Sequence, residues 1–244
     1  MRFVKQWWTG LCLGLVIGVA AASPSAPKNG VEYRTLTPTQ NVEPGKKVEV
    51  TEFFWYSCPH CAALEPALAE WVHKQGDRII FKRVPVHFRD SFVPQQKLYY
   101  ALDAMGKSEE MQRKIFNAIH VDRQRLDDDT DIIEFVTKNG IDKQKFTDLF
   151  NAFGTQAKVR RALGLQEAYK IDGVPSIAVD GKWVTSPSQA GSTLGQQPEA
   201  AQGVAAVQVL DVLVARAEVD RKGSATAATA PVKMAPPVKE AVKK

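Results

Sequence analysis

The stretch VTEFFWYSCPHCAALEPAL, residues 50–68, decides how the rest of the chain is read. An aromatic, apolar run stops at Cys58, a second cysteine follows at Cys61, and the chain goes on through Ala62, Leu64 and Glu65 as a helix does. Val48 to Tyr56 has the composition of a buried strand. Pro59 suits the first turn of a helix, where its missing N–H leaves no bond unmade. Ala62, Leu64, Ala67, Leu68, Trp71 and Val72 then recur at helical spacing and stop before Gly76. With RIIFKRVPV (78–86) as the next strand, the unit is strand, helix, strand, which implies a sheet flanked by helices.

Outward from this unit, VEYRTLTP predicts a first extended segment, followed by a turn at Glu43-Pro44-Gly45. From Pro94 to Ile171 about five helical patterns follow one another, broken at Gly106, Asp127-Asp128-Asp129, Asn139-Gly140 and Phe153-Gly154. Two of them, DIIEFVTKN and DKQKFTDLFNAF, open on Asp131 and Asp142, residues suited to capping a helix. Extended structure returns in VPSIAVDGKWV (174–184), where Asp180-Gly181 between apolar runs signals a hairpin. A last helix is expected from about Pro198 to Lys222, and residues 223–244, rich in Ala, Pro and Lys, are expected to be disordered.

The 244 residues, 44% hydrophobic and 24% charged, suffice for a buried core without disulfide staples. Arg2 and Lys5, the apolar run from Trp7 to Val19 and Ala20-Ala21-Ala22 together read as a cleaved secretory signal over residues 1–22. Cys12 lies within it, so the exported chain keeps Cys58 and Cys61 alone, in a compartment where disulfides persist. The other basic excess lies in the tail, where Lys233, Lys239, Lys243 and Lys244 face only Glu240. Between leader and tail, acids and bases balance, so the net charge of +5 is no argument for nucleic-acid binding.

Two thiols one helical turn apart can hold a metal, staple the fold or exchange electrons. Structural zinc wants four ligands, and of His60, His73, His87 and His120 the first lies inside the motif and the others lack finger-like spacing. Haem attachment fails because Ala62, not histidine, follows Cys61. A bridge closing so small a loop stabilises a fold little. Redox exchange fits: a sulfur at a helix start meets unpaired N–H groups and the positive end of the macrodipole, which favour its thiolate. Cys58 is then the exposed nucleophile and Cys61 the shielded resolving thiol. A protonated His60 adds to the effect.

With C-P-H-C after E-F-F-x-x-x, a long helical insertion and G-V-P-S-I before a hairpin, the chain resembles the DsbA family of periplasmic thiol:disulfide oxidoreductases, over about residues 30–222. The resemblance implies an α/β thioredoxin-like fold, residues 23–88 and 166–222, interrupted by an all-helical insertion at 89–165. It implies that Cys58 and Cys61 are the redox pair and that Pro59 and His60 tune it. Val174-Pro175 matches a loop whose proline is cis and which pairs with the substrate backbone. Glu52 matches a buried acid that relays the proton of Cys61, with Lys82 on the neighbouring strand as a candidate partner. The implied function is donation of the Cys58–Cys61 disulfide to reduced, newly exported proteins in the periplasm. Reoxidation would fall to a quinone-linked membrane partner of the DsbB type. No metal, cofactor or nucleic acid is called for, and a monomer is expected. A reductase or isomerase, and a binding protein or chaperone with an incidental disulfide, are the alternative readings. Trp55, Tyr56 and Phe88 are expected to form an apolar apron near the site.

Overall fold

The computed structural model describes residues 23–228. The expected signal, with Cys12, and the tail beyond residue 228 lie outside the described residues. The sheet contains β1 (Arg34–Thr35), β2 (Val48–Phe54), β3 (Ile79–Pro85), β4 (Ser176–Val179) and β5 (Trp183–Thr185). Their spatial order is β1-β5-β4-β2-β3, with β2 and β3 parallel and the other pairs antiparallel. All seven residues of β2 are buried, as befits a strand covered on both faces. Helix α1 (Pro59–Gln75) makes the crossover from β2 to β3.

Five helices then intervene before the chain returns to the sheet: α2 (Val93–Ala104), α3 (Ser108–His120), α4 (Asp129–Lys138), α5 (Lys143–Asn151) and α6 (Phe153–Ala168). Asp142 caps α5 by accepting from the Lys145 N–H at 2.7 Å, as the sequence suggests. In α4 the cap is Asp128, which accepts from the N–H of Asp131 at 2.9 Å, so Asp131 is a first-turn residue and not the cap. Asp128 wins because it has the extended backbone that a capping residue requires.

The β4–β5 hairpin turns on Asp180 (φ 55°) and Gly181 (φ 63°), the double left-handed conformation of a two-residue turn. A Cβ at Gly181 would lie 2.2 Å from the backbone oxygen of Gln40, so only glycine fits there. After the short α7 (Pro187–Ala190) comes α8 (Glu199–Ala228), which runs six residues past the expected end at Lys222. Its Ala206, Val209, Leu210 and Leu213 pack with Leu64, Leu68 and Trp71 of α1 over Val48, Val50, Ile177 and Val179 of the sheet. Asp211 ties the two helices together, accepting from Trp71 Nε1 at 2.8 Å and Gln75 Nε2 at 2.9 Å. A second apolar cluster joins the end of β2 to the helical segment through Phe54, Tyr56, Tyr99, Met111, Ile115 and Phe116. Cys58 and Cys61 belong to this second cluster, whereas Leu64, three residues further on, belongs to the first.

Candidate redox-active site

Strand β2 ends at Phe54, two residues earlier than its composition suggests, and Trp55 to Ser57 carry the chain to the start of α1. Cys58 occupies the N-cap position with extended backbone (φ −80°, ψ 116°) and makes no side-chain capping bond in the ordinary sense. The first turn, Pro59-His60-Cys61, carries no acid. The anion this helix end attracts is therefore the Cys58 sulfur itself. Both thiols are free, with Cys61 fully buried and Cys58 only 6% accessible. Cys58 is thus less exposed than expected, but it keeps the open side of the pair.

The two sulfurs are pulled in opposite directions. Hydrogen bonding from Cys61 lowers the Cys58 pKa to about 6 against the opposing effect of burial, with the backbone N–H groups of Cys61 and His60 and the charge of His60 assisting. Burial raises Cys61 well above an ordinary thiol, and the Cys58 thiolate and the Glu52 carboxylate add to this. A dithiol polarised in this way has one sulfur suited to attack and departure as an anion, and one suited to keeping its proton.

Three further groups converge on the pair. The Val174–Pro175 peptide bond is cis, and the carbonyl of Val174 lies 3.4 Å from Cys58 Sγ. His60 Nδ1 contacts Glu199 at the start of α8. Glu52 lies behind Cys61, wholly buried on β2. Its partner is Arg83, whose Nε donates to Glu52 Oε2 at 2.9 Å, and not Lys82. The reason is register: Glu52 stands opposite Arg83, whereas Lys82 stands opposite Thr51 and projects from the other face, where it pairs with Glu43 and Glu49. Arg83 also donates to both oxygens of Glu65 at 3.2 Å and to Glu109, so one guanidinium serves three carboxylates. Burial raises the pKa of Glu52 in spite of Arg83, and that of Glu65 to about 7. Glu52 Oε1 finds no partner among the described residues.

The helical segment supports the approach to Cys58. His120 Nε2 meets the carbonyl of Tyr56 at 2.8 Å, and Gln95 Nε2 donates to Ser57 Oγ at 2.7 Å. Neither contact could be read from spacing, since each joins residues far apart in the chain. Of the expected apron, Trp55 is half-buried and stacked on Phe92, and Phe88 is exposed. Tyr56 is not part of it: the ring is buried against Phe54 and Phe116, and its hydroxyl donates to Gln112 at 2.9 Å.

The family model described as "DSBA-like thioredoxin domain" matches residues 80–197. The chain is 45% identical over 213 residues to the thiol:disulfide interchange protein DsbA of Burkholderia cepacia, covering 87% of this chain and 95% of that one. The DsbA of Bordetella parapertussis is 39% identical over 171 residues, covering 70% and 81% respectively. Among solved structures, that of Pseudomonas aeruginosa DsbA superposes with a TM-score of 0.72 at 29% identity, over 79% of this chain and 95% of that one. With a thioredoxin fold carrying a helical insertion, a polarised dithiol at a helix start and relatives this similar over four fifths or more of their length, the chain belongs to the DsbA family of thiol:disulfide oxidoreductases.

Proposed function

We propose that the protein donates its Cys58–Cys61 disulfide to reduced proteins newly exported to the periplasm, reached through a signal at residues 1–22. A substrate thiolate attacks Cys58 Sγ, the Cys58–Cys61 bond breaks, and the electron pair leaves on Cys61, which takes up a proton. A second substrate thiolate then attacks the substrate sulfur of the mixed disulfide, and Cys58 departs as a thiolate. The substrate gives up two electrons and two protons and gains a disulfide; the enzyme ends with two reduced cysteines.

The supporting observation is the opposed pull on the two sulfurs. A pKa of about 6 makes Cys58 the better leaving group, while the raised pKa of Cys61 makes it the one that takes a proton. Pro59 and His60 set this polarity from the helix start. Glu52, buried behind Cys61 with its pKa raised, is the proton source for the departing Cys61. Val174–Pro175 presents backbone beside Cys58 along which an unfolded chain is aligned. The two cysteines return to the disulfide by passing two electrons to a membrane oxidase of the DsbB type. The thioredoxin-like part spans 23–88 and 166–222 around an insertion at 89–165.

The test is oxidation of a reduced, unfolded two-cysteine protein by stoichiometric oxidised enzyme, followed by thiol titration. Loss of substrate thiols matched by gain of enzyme thiols supports the reading. An enzyme that instead only reduces disulfides under a glutathione buffer, or whose activity survives intact in C58S, overturns it.

A further inference from the structure

A groove of about 350 Å³ opens beside the redox pair, between His60 and Leu64 on α1, the Val174–Pro175 loop, and Glu199 and Gln202 on α8. Among the described residues lining it there are two carboxylates, Asp172 and Glu199, and no lysine or arginine. The two acids are not equivalent. Asp172 acts on Arg34, a guanidinium anchored on the carbonyls of Tyr169 and Lys170 at 2.9 Å, whose charged form its carboxylate favours. Among the described residues, Glu199 makes its ionic contact with His60 across the mouth of the groove, and the side chains of His60 and Glu199 are 64% and 49% exposed. An exposed contact of this kind is weak and readily exchanged for another cation.

We propose that Glu199 is a specificity-determining residue of the oxidase. A lysine or arginine next to the reactive substrate cysteine takes the Glu199 carboxylate over from His60, so that chains with basic residues at that place are oxidised in preference to acidic ones. This rests on the reading that substrate chains lie along Val174–Pro175. There, a residue flanking the cysteine joined to Cys58 falls within the groove and within reach of α8.

The experiment uses two peptide dithiols, identical except that the first cysteine is flanked by lysines in one and glutamates in the other. Rate constants are measured with oxidised wild-type enzyme, E199Q and E199K. The lysine flanks also activate the peptide's own thiol, but that effect is common to all three enzymes and cancels in the comparison. The lysine-to-glutamate rate ratio should be about two- to fivefold larger for wild type than for E199Q, the range an exposed ion pair supplies. It should be lower still for E199K, and high salt should flatten the wild-type preference towards that of E199Q. A merely structural role for Glu199, in seating the start of α8, would slow both peptides alike and leave the ratio unmoved. An equal ratio in wild type and E199Q overturns the proposal while leaving the oxidase reading intact. Failure of wild type to oxidise either peptide overturns both.

Discussion

Replacing Arg83 with leucine removes a guanidinium that pairs with Glu52, Glu65 and Glu109 behind the two cysteines. The side chain of Arg83 is 2% accessible and that of Glu52 is 0%, so water cannot replace the guanidinium at Glu52, whereas Glu109, 71% exposed, stays solvated without it. Two opposite charges about 4 Å apart at an effective dielectric of about 20 interact by about 4 kcal/mol. Breaking a buried pair by removing one partner generally costs about 3–5 kcal/mol. The loss should depend on pH in a definite direction. Glu52 and Glu65 have pKa values raised by burial, and without Arg83 both rise further. A carboxyl with a raised folded pKa is tolerated in its protonated form at low pH, and its ionisation opposes folding as pH climbs through that value. Each carboxyl held neutral returns about 1.4 kcal/mol per unit of pH below its shifted pKa. Arg83→Leu should therefore lose about 3–5 kcal/mol in urea unfolding at about pH 8, and markedly less at about pH 5. An equal loss at both pH values, or a loss under about 1 kcal/mol at the higher one, would refute the view that this cluster is held together by charge.

The other expectations concern the redox pair and the hairpin. Because Cys58 has a depressed folded pKa of about 6, the reduced protein gains stability over the oxidised one above that pH and loses the gain as pH falls through it. Against an ordinary thiol near 8.5, and discounted for solvent screening, the gain is about 1–2 kcal/mol at about pH 8 and close to nil at about pH 5. Melting curves of the two forms should thus converge on acidification, by about 2–8 °C for a chain of this size. Cys61→Ser should still form a mixed disulfide through Cys58 when given an activated disulfide, and that adduct should persist on a gel, whereas Cys58→Ser should form none. Gly181→Ala should destabilise by at least about 1–2 kcal/mol from the left-handed backbone alone, and by more from the collision with the Gln40 carbonyl, as a lowered melting temperature.

Much of this architecture was legible in the chain, for local reasons. Pro59 and the apolar spacing after it marked α1, and Asp180-Gly181 marked the hairpin, because each depends on residues within a turn or two of one another. What spacing could not reveal was register. Strand β2 is buried on both faces, so its composition does not alternate, and nothing local chose Arg83 over Lys82 as the partner of Glu52. The contacts that furnish the site from a distance were equally hidden: His120 on the Tyr56 carbonyl, Gln95 on Ser57, and Glu199 on His60, 139 residues away. The low complexity of GSATAA hides the end of α8, although alanine is the best helix former. The cis geometry of Val174–Pro175 followed from family resemblance alone, since most X–Pro bonds are trans.

The central claim is that the start of α1 and the Cys61 thiol hold Cys58 as an anion near neutral pH. Titrating the reduced protein and following the ultraviolet absorbance of the thiolate, with Cys58→Ser as the blank, reads this directly. The absorbance should rise in a transition near pH 6 that vanishes in the blank, with no second thiolate appearing until strongly alkaline pH. A first transition near pH 8.5, where free cysteine ionises, would contradict it.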